Sequence, residues 1–433
     1  MQRALVLVLT LLAAGCVSPG ASDDGGTDAG ALPFPDPMGQ DHDHSDVRLH
    51  AAAYGFEQTF HHPLAGSPTH SAGAHVLDAK GGYLFAGIYG GEADAEGGFF
   101  IFDIADPLAP REVGRYRFPG PLAGDRSLEA TVDAEWAVLG TEALDCAGHI
   151  NPFAPGLYLI DVRDKARPVP AAFTPMTMVH SVTIHRIGGE DYVFALASVQ
   201  ENIFRIVKSP VPRFEPIGSV SIGHDSVVFD DPLLGKPLLF AANGGAGFVV
   251  SDVSDPANPK QLGEWNIPDR ADDMYYIHTG VVDIIDGRRI AVVTSEDWED
   301  YPSALWVIDA TDLAYMETLA QWSAPGEHPA AGLRYSMHNP RLLGKDLYLS
   351  YYHGGAWRLD LGQPSAPRVT GLFMPGESTG YVPEKPKTSA YAERQCGEFA
   401  FADAPFTMDV EAVPGALYVA DLHTGLYALK PLP

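Results

Sequence analysis

The sequence is poor in cysteine, in basic residues and in long apolar runs. Three cysteines in 433 residues exclude a fold stapled by many disulfides. Lys and Arg number 28 against 56 Asp and Glu, a net charge of −28. Such a chain repels phosphate backbones and anionic headgroups, which argues against any nucleic-acid partner. No segment holds 18 consecutive apolar residues, so nothing reads as a membrane-spanning helix. Gly-x-Ser-x-Gly, Walker, His-Glu-x-x-His and Cys-x-x-Cys motifs are missing, as is a Gly-x-Gly-x-x-Gly strand-to-helix unit. The chain therefore shows no nucleophile motif and no nucleotide cofactor is expected. What it does hold is 46% apolar residues with 45 Gly and 36 Pro, enough to bury a large core and too many chain breakers for a coiled coil.

The charge and polarity divide the chain into three parts. Met1–Arg3 make a short basic start, residues 4–12 an apolar run broken only by Thr10, and Ala13-Ala14-Gly15 small residues before Cys16. This resembles a bacterial lipoprotein signal spanning residues 1–15, and the resemblance implies cleavage, lipidation of Cys16 and an extracytoplasmic cell-envelope location. Residues 16–50 hold Gly, Ser, Pro and seven Asp against one Arg, the composition of a solvated tether. The Asp41-His42-Asp43-His44 run belongs to that tether. The signal carries +1 and the tether −6, which leaves −23 on residues 51–433. Two thiols remain there, Cys146 and Cys396, and in an oxidising compartment they most simply pair into one disulfide. Two free buried thiols or a thiolate metal site are the alternatives.

A phrase recurs along residues 51–433. It reads Gly-Gly-Phe-Phe-Ile-Phe-Asp-Ile-Ala-Asp-Pro at 97–107, Gly-Leu-Tyr-Leu-Ile-Asp-Val-Arg-Asp at 156–164 and Gly-Phe-Val-Val-Ser-Asp-Val-Ser-Asp-Pro at 247–256. Further copies stand at 304–312 and 355–361, with weaker ones at 202–207 and 425–429. Each is a short run of β-formers ending on Asp, then an Asp/Pro/Ser turn and another strand. A strand pair precedes each copy, as in 75–78 with 83–87. Four short strands per unit of roughly 45 to 70 residues are the signature of propeller blades. The expected fold is all-β: a seven-bladed β-propeller of four-stranded antiparallel blades forming one domain. The seventh unit stops after its third strand, and a spare strand at 55–62 is expected to complete it and remove an open edge. The phrase at 247–265 is similar to that of the LVIVD-repeat family of extracellular propeller proteins, with 98–116 nearly as close. The resemblance implies a propeller outside the cytoplasm and fixes no activity.

The first residues of the innermost strands read His75, Glu129, His180, His224, His278, His338 and Asp409, at spacings of 54, 51, 44, 54, 60 and 71. Inner strands line the central channel of a propeller, so these seven side chains are expected around one mouth. Imidazole with carboxylate suits one transition-metal ion (Cu, Zn, Fe or Mn), held by three or four of them. His185 is odd in parity with His180 and points away. The loops between second and third strands should rim the same mouth with Tyr89, Glu142, His149, Asn243, Glu296, Asp297, Trp298, Tyr352, His353 and His423. An insertion from Pro375 to Pro405, carrying Cys396, joins blades six and seven there.

These residues lead us to expect a lipid-anchored envelope protein whose propeller binds a protein or small-molecule ligand, foremost a transition metal, and meets the membrane only through its anchor. Two alternatives stay open. One is a metal-dependent oxidase, possibly using copper, similar in fold to the selenium-binding and methanethiol oxidase propellers, which have histidine ligands. The other is a structural surface protein with no ligand, whose histidines bond neighbouring strands.

Overall fold

The computed structural model describes residues 52–64, 74–88, 98–117, 125–141, 155–176, 179–197, 200–221, 223–245, 247–268, 276–296, 303–324, 335–375, 405–422 and 424–433. The expected lipoprotein signal with Cys16, the expected tether, Cys146 and Cys396 lie outside these residues. Every described element is a strand. The chain enters through β1 (Ala52–Tyr54) and β2 (Phe56–His62). Blade one follows as β3 (Ala74–Lys80), β4 (Tyr83–Ile88), β5 (Gly98–Asp103) and β6 (Arg111–Arg117). Blade two comprises β7 (Asp125–Ala130), β8 (Trp136–Thr141), β9 (Gly156–Asp161) and β10 (Val169–Pro175). Blade three comprises β11 (Ser181–Ile187), β12 (Glu190–Ala197), β13 (Gln200–Val207) and β14 (Arg213–Ser221). Blade four is β15 (Ser226–Asp231), β16 (Lys236–Ala242), β17 (Phe248–Asp252) and β18 (Lys260–Trp265). Blade five is β19 (Ile277–Ile285), β20 (Arg288–Ser295), β21 (Leu305–Asp309) and β22 (Glu317–Trp322). Blade six has β23 (Pro340–Leu343), β24 (Asp346–Ser350), β25 (Ala356–Asp360) and β26 (Arg368–Met374), and blade seven β27 (Thr407–Val413), β28 (Ala416–Asp421) and β29 (Gly425–Pro431).

Seven antiparallel sheets result, each running in sequence order from the channel outward. The N-terminal strand closes the ring as expected: β2 is the fourth strand of blade seven, with Phe56 opposite Pro431 and His62 opposite Leu426. Beyond that expectation, β1 adds a fifth strand to blade six, with Ala52 opposite Met374. One entering segment thus ties two adjacent blades.

The recurring phrase has local causes. Its first Asp accepts the N–H two residues on, as Asp103 does from Ala105 (3.0 Å) and Asp252 from Ser254 (2.9 Å). The Asp three residues later repeats the turn, Asp106 to Leu108 and Asp255 to Ala257, the side-chain mimicry of a turn that Asp favours. The phrase opens on glycine because Gly247 has φ +99° and a Cβ there would overlap the Trp265 carbonyl.

Apolar burial lies between blades. Seven clusters fill the seven interfaces, from Trp265 and Trp306 between blades four and five to Leu77 and Tyr418 between blades one and seven. No blade buries its faces alone, so the ring is the stable unit.

Candidate metal centre in the central channel

The inner strands carry a bulge near the mouth, and its register decides which side chains share a level. In blade five His278 is the extra residue between Ile277, opposite Ser295, and Thr279, opposite Thr294. The same irregularity falls between Ala74 and Val76 in blade one, Asp125 and Ser127 in blade two, and Thr407 and Asp409 in blade seven. In blades three, four and six the N–H groups of His180, His224 and His338 reach the corresponding carbonyls of Leu196, Ala242 and Ser350. The level is therefore occupied by His75, Arg126, His180, His224, His278, His338 and Met408. Glu129 stands three residues further along its strand than this level, and Asp409 one. For Asp409 the reason is the bulge: one extra residue changes which side of the strand a position faces. The side chains of His75 and Arg126 are outside what is described.

Four of the expected histidines come together. Ring centroids are 4.5 Å apart for His180 and His224, 4.2 Å for His224 and His278, and 4.3 Å for His278 and His338. Among the described residues, two triads bring three candidate ligand atoms within 4.8 Å of one another: His180, His224 and Asp225, and His224, His278 and Glu296. Glu296 follows β20, is buried, and has Oε2 3.4 Å from His278 Nε2. Its Oε1 accepts the Tyr352 hydroxyl. Tyr352 is a buried non-glycine residue at φ +41°, a costly conformation held by surrounding contacts. Its ring stacks on Phe406 with centroids 4.3 Å apart.

The histidine tautomers follow from their partners. His338 Nδ1 lies 2.6 Å from the Met408 carbonyl and His224 Nδ1 lies 3.0 Å from the His278 carbonyl. A carbonyl can only accept, so each Nδ1 carries the proton and each Nε2 keeps its lone pair. Burial lowers the His338 pKa to about 4, with nearby His224 and His180 adding to the effect. The ring is neutral at physiological pH, the form a metal requires.

Residues at this level and just beyond it along the channel also hold the ring together. Each blade bonds the backbone of the next through a side chain on or just before its inner strand, except blade five, which uses Thr294 on β20. Leu77, Ala130 and Ile184 donate their N–H groups to Asp409 (2.8 Å), Asp78 (2.7 Å) and Glu129 (2.6 Å). Thr183 donates to the Ser226 carbonyl (2.7 Å) and Thr294 to that of His338 (2.9 Å). His224 and His338 complete the circuit. Asp409 and Glu129 are thus inter-blade struts, outside both ligand triads. Glu129 is pushed up to about 8 by burial and by the neighbouring Asp78. It belongs to a charged belt below the histidines, where Lys80 meets Asp78 (3.3 Å) and Arg341 meets Glu411 (2.9 Å). Belt and histidines line one cavity of about 560 Å³.

Of the expected rim, Glu296, Tyr352 and His353 are buried beside the channel mouth, with the His353 ring edge-on to Phe406 at 4.8 Å. Asn243 is half-buried and donates its N–H to the Gly247 carbonyl in its own hairpin. Tyr89, Glu142, His149, Asp297, Trp298 and His423 lie outside the described residues, as does most of the 375–405 insertion. His185 turns from the histidine cluster and meets Asp230 at 3.0 Å. The sequence reading missed Asp225, Met408 and Tyr276, whose ring stands edge-on to His224 at 5.5 Å. Asp225 directly follows His224, a signal that was legible.

Fold and site define a seven-bladed β-propeller with a polar channel and an imidazole arc at one end. The LVIVD repeat model matches residues 75–117, in blade one, and 239–266, in blade four. No curated protein matches the chain. Similar solved structures include a protein from Lactobacillus plantarum, at 13% identity over 70% of this chain and 86% of that one (TM-score 0.51). Sqt1 from Chaetomium thermophilum is similar at 11% identity over 87% and 100% (0.52). The WD40 β-propeller domain of Doa1 is similar at 10% over 87% and 96% (0.50). At such identities the likeness concerns the fold alone.

Proposed function

We propose that this protein is an envelope-anchored propeller, tethered through Cys16, that binds one transition-metal ion at the mouth of its channel. His224, His278 and Glu296 are the ligands. The observation that carries the reading is their convergence within 4.8 Å, with His278 Nε2 and Glu296 Oε2 3.4 Å apart. Two ligands on one tetrahedral ion at bond lengths of about 2.1 Å are separated by about 3.4 Å. The N–H groups that His224 and His338 give to carbonyls are the outer contacts that orient metal-binding imidazoles.

Metal analysis of the purified protein after dialysis against Zn(II), Cu(II), Mn(II) or Fe(II) is the test. About one ion per chain is expected, and His278→Ala and Glu296→Gln should each lower the affinity by at least about tenfold. Failure to retain any of the four ions would overturn the reading. The strut role of His224 favours a second reading, in which the imidazoles serve only to join blades. In that case His224→Ala lowers the melting temperature while metal content stays near zero in both proteins.

A further inference from the structure

The register at the channel mouth brings a methionine to the histidine level. Met408 occupies in blade seven the bulge position that His278 occupies in blade five. It is buried and lines the same cavity as His278 and His338. Its carbonyl accepts His338 Nδ1–H at 2.6 Å and the Ser350 hydroxyl at 3.0 Å, so its backbone is pinned against the imidazole arc. Its side chain packs with Tyr352, the residue whose hydroxyl bonds Glu296. Among the described residues lining the cavity, Met408 is the sole sulfur donor.

From this arrangement we infer that the ion is copper and that Met408 supplies its thioether to the Cu(I) state. The inference rests on the metal-site reading above. Imidazole alone suits several divalent ions, and carboxylate favours the harder ones. A thioether is a soft donor that Zn(II), Mn(II) and Fe(II) gain little from and Cu(I) binds well. The mouth offers Glu296 and imidazole on one side, a set for Cu(II), and imidazole with Met408 on the other, a set for Cu(I). Methionine has three rotatable side-chain torsions, so a pinned backbone still leaves Sδ free to adjust to an ion. Leucine would pack there equally well and offers no donor atom, which makes Met408→Leu the discriminating change.

The experiment titrates the full-length protein with Cu(I) in competition with bathocuproine disulfonate, and separately with Cu(II) and Zn(II), for wild type and Met408→Leu. Met408→Leu is expected to weaken Cu(I) binding by about tenfold or more while Cu(II) and Zn(II) change by less than about threefold. X-ray absorption of the Cu(I) form should show a copper–sulfur shell in the wild type that vanishes in the variant, a signature that packing alone does not move. Unchanged Cu(I) affinity in Met408→Leu, or no sulfur shell in the wild type, overturns the inference. Zinc binding without Cu(I) binding overturns it while leaving the metal site standing. Should the wild type take up none of the three ions, the inference falls, and the metal-site reading falls with it if Mn(II) and Fe(II) are not retained either.

Discussion

At the scale of single residues, one channel position does two jobs. His224 and His338 each give one ring N–H to the next blade and keep the other nitrogen for the channel. Glu129, three residues further along its strand, only bonds the next blade, accepting the Ile184 N–H. Its carboxyl, ordinarily near 4.5, is raised to about 8 by burial, so between those values the fold keeps a proton that the unfolded chain gives up. The resulting stability is full below about pH 4.5 and disappears as pH rises through about 8. Glu129→Gln retains an oxygen for the Ile184 N–H and cannot ionise. Thermal melts should therefore nearly coincide for the two proteins at pH 5, and the variant should melt several degrees higher at pH 9. Parallel melting curves across that range would mean that Glu129 is ionised in the fold.

At the scale of the strand and turn, two glycines separate conformation from contact. Gly247 and Gly287 both have positive φ, +99° and +80°, but a Cβ at Gly287 meets nothing within 4 Å. Gly287 forms with Asp286 (φ +50°) a two-residue hairpin turn that demands left-handed backbone. Gly287→Ala should cost about 1 kcal/mol, the conformational penalty alone. Gly247→Ala adds overlap with the Trp265 carbonyl between two strands of blade four and should cost about 3 kcal/mol or more. Urea unfolding of both variants gives the comparison, and equal losses would show that overlap adds nothing. The turn chemistry around these glycines is local, which is why the blade phrase was readable residue by residue.

At the scale of the whole molecule, stability depends on closure. Seven apolar clusters occupy seven interfaces, and the last of them includes Phe56 from the entering strand. A chain beginning at Pro63 would lack β1 and β2, bare the edge of β29 and remove the added strand of blade six. Such an edge pairs readily with other chains. The truncated protein should aggregate or elute as large species on size exclusion, and a monomer with wild-type melting temperature would refute the closure argument. The net charge of −28 keeps intact copies apart and acts on solubility rather than fold.

The sequence by itself determined the blade, its number and its closure, because alternating apolar residues, Asp turns and obligatory glycines act over a few residues and are written afresh in each repeat. The propeller then follows, since no blade can bury both faces alone. Only the tertiary structure decided the site. A single extra residue in the inner strand of blade seven moves Met408 to the histidine level and takes Asp409 off it, and no local pattern reports that shift. Nor does spacing give the distances at which Asp225 and Glu296 face His278, 3.9 and 3.4 Å. Those contacts depend on how sheets twist and press together around an axis, an energy shared among all seven.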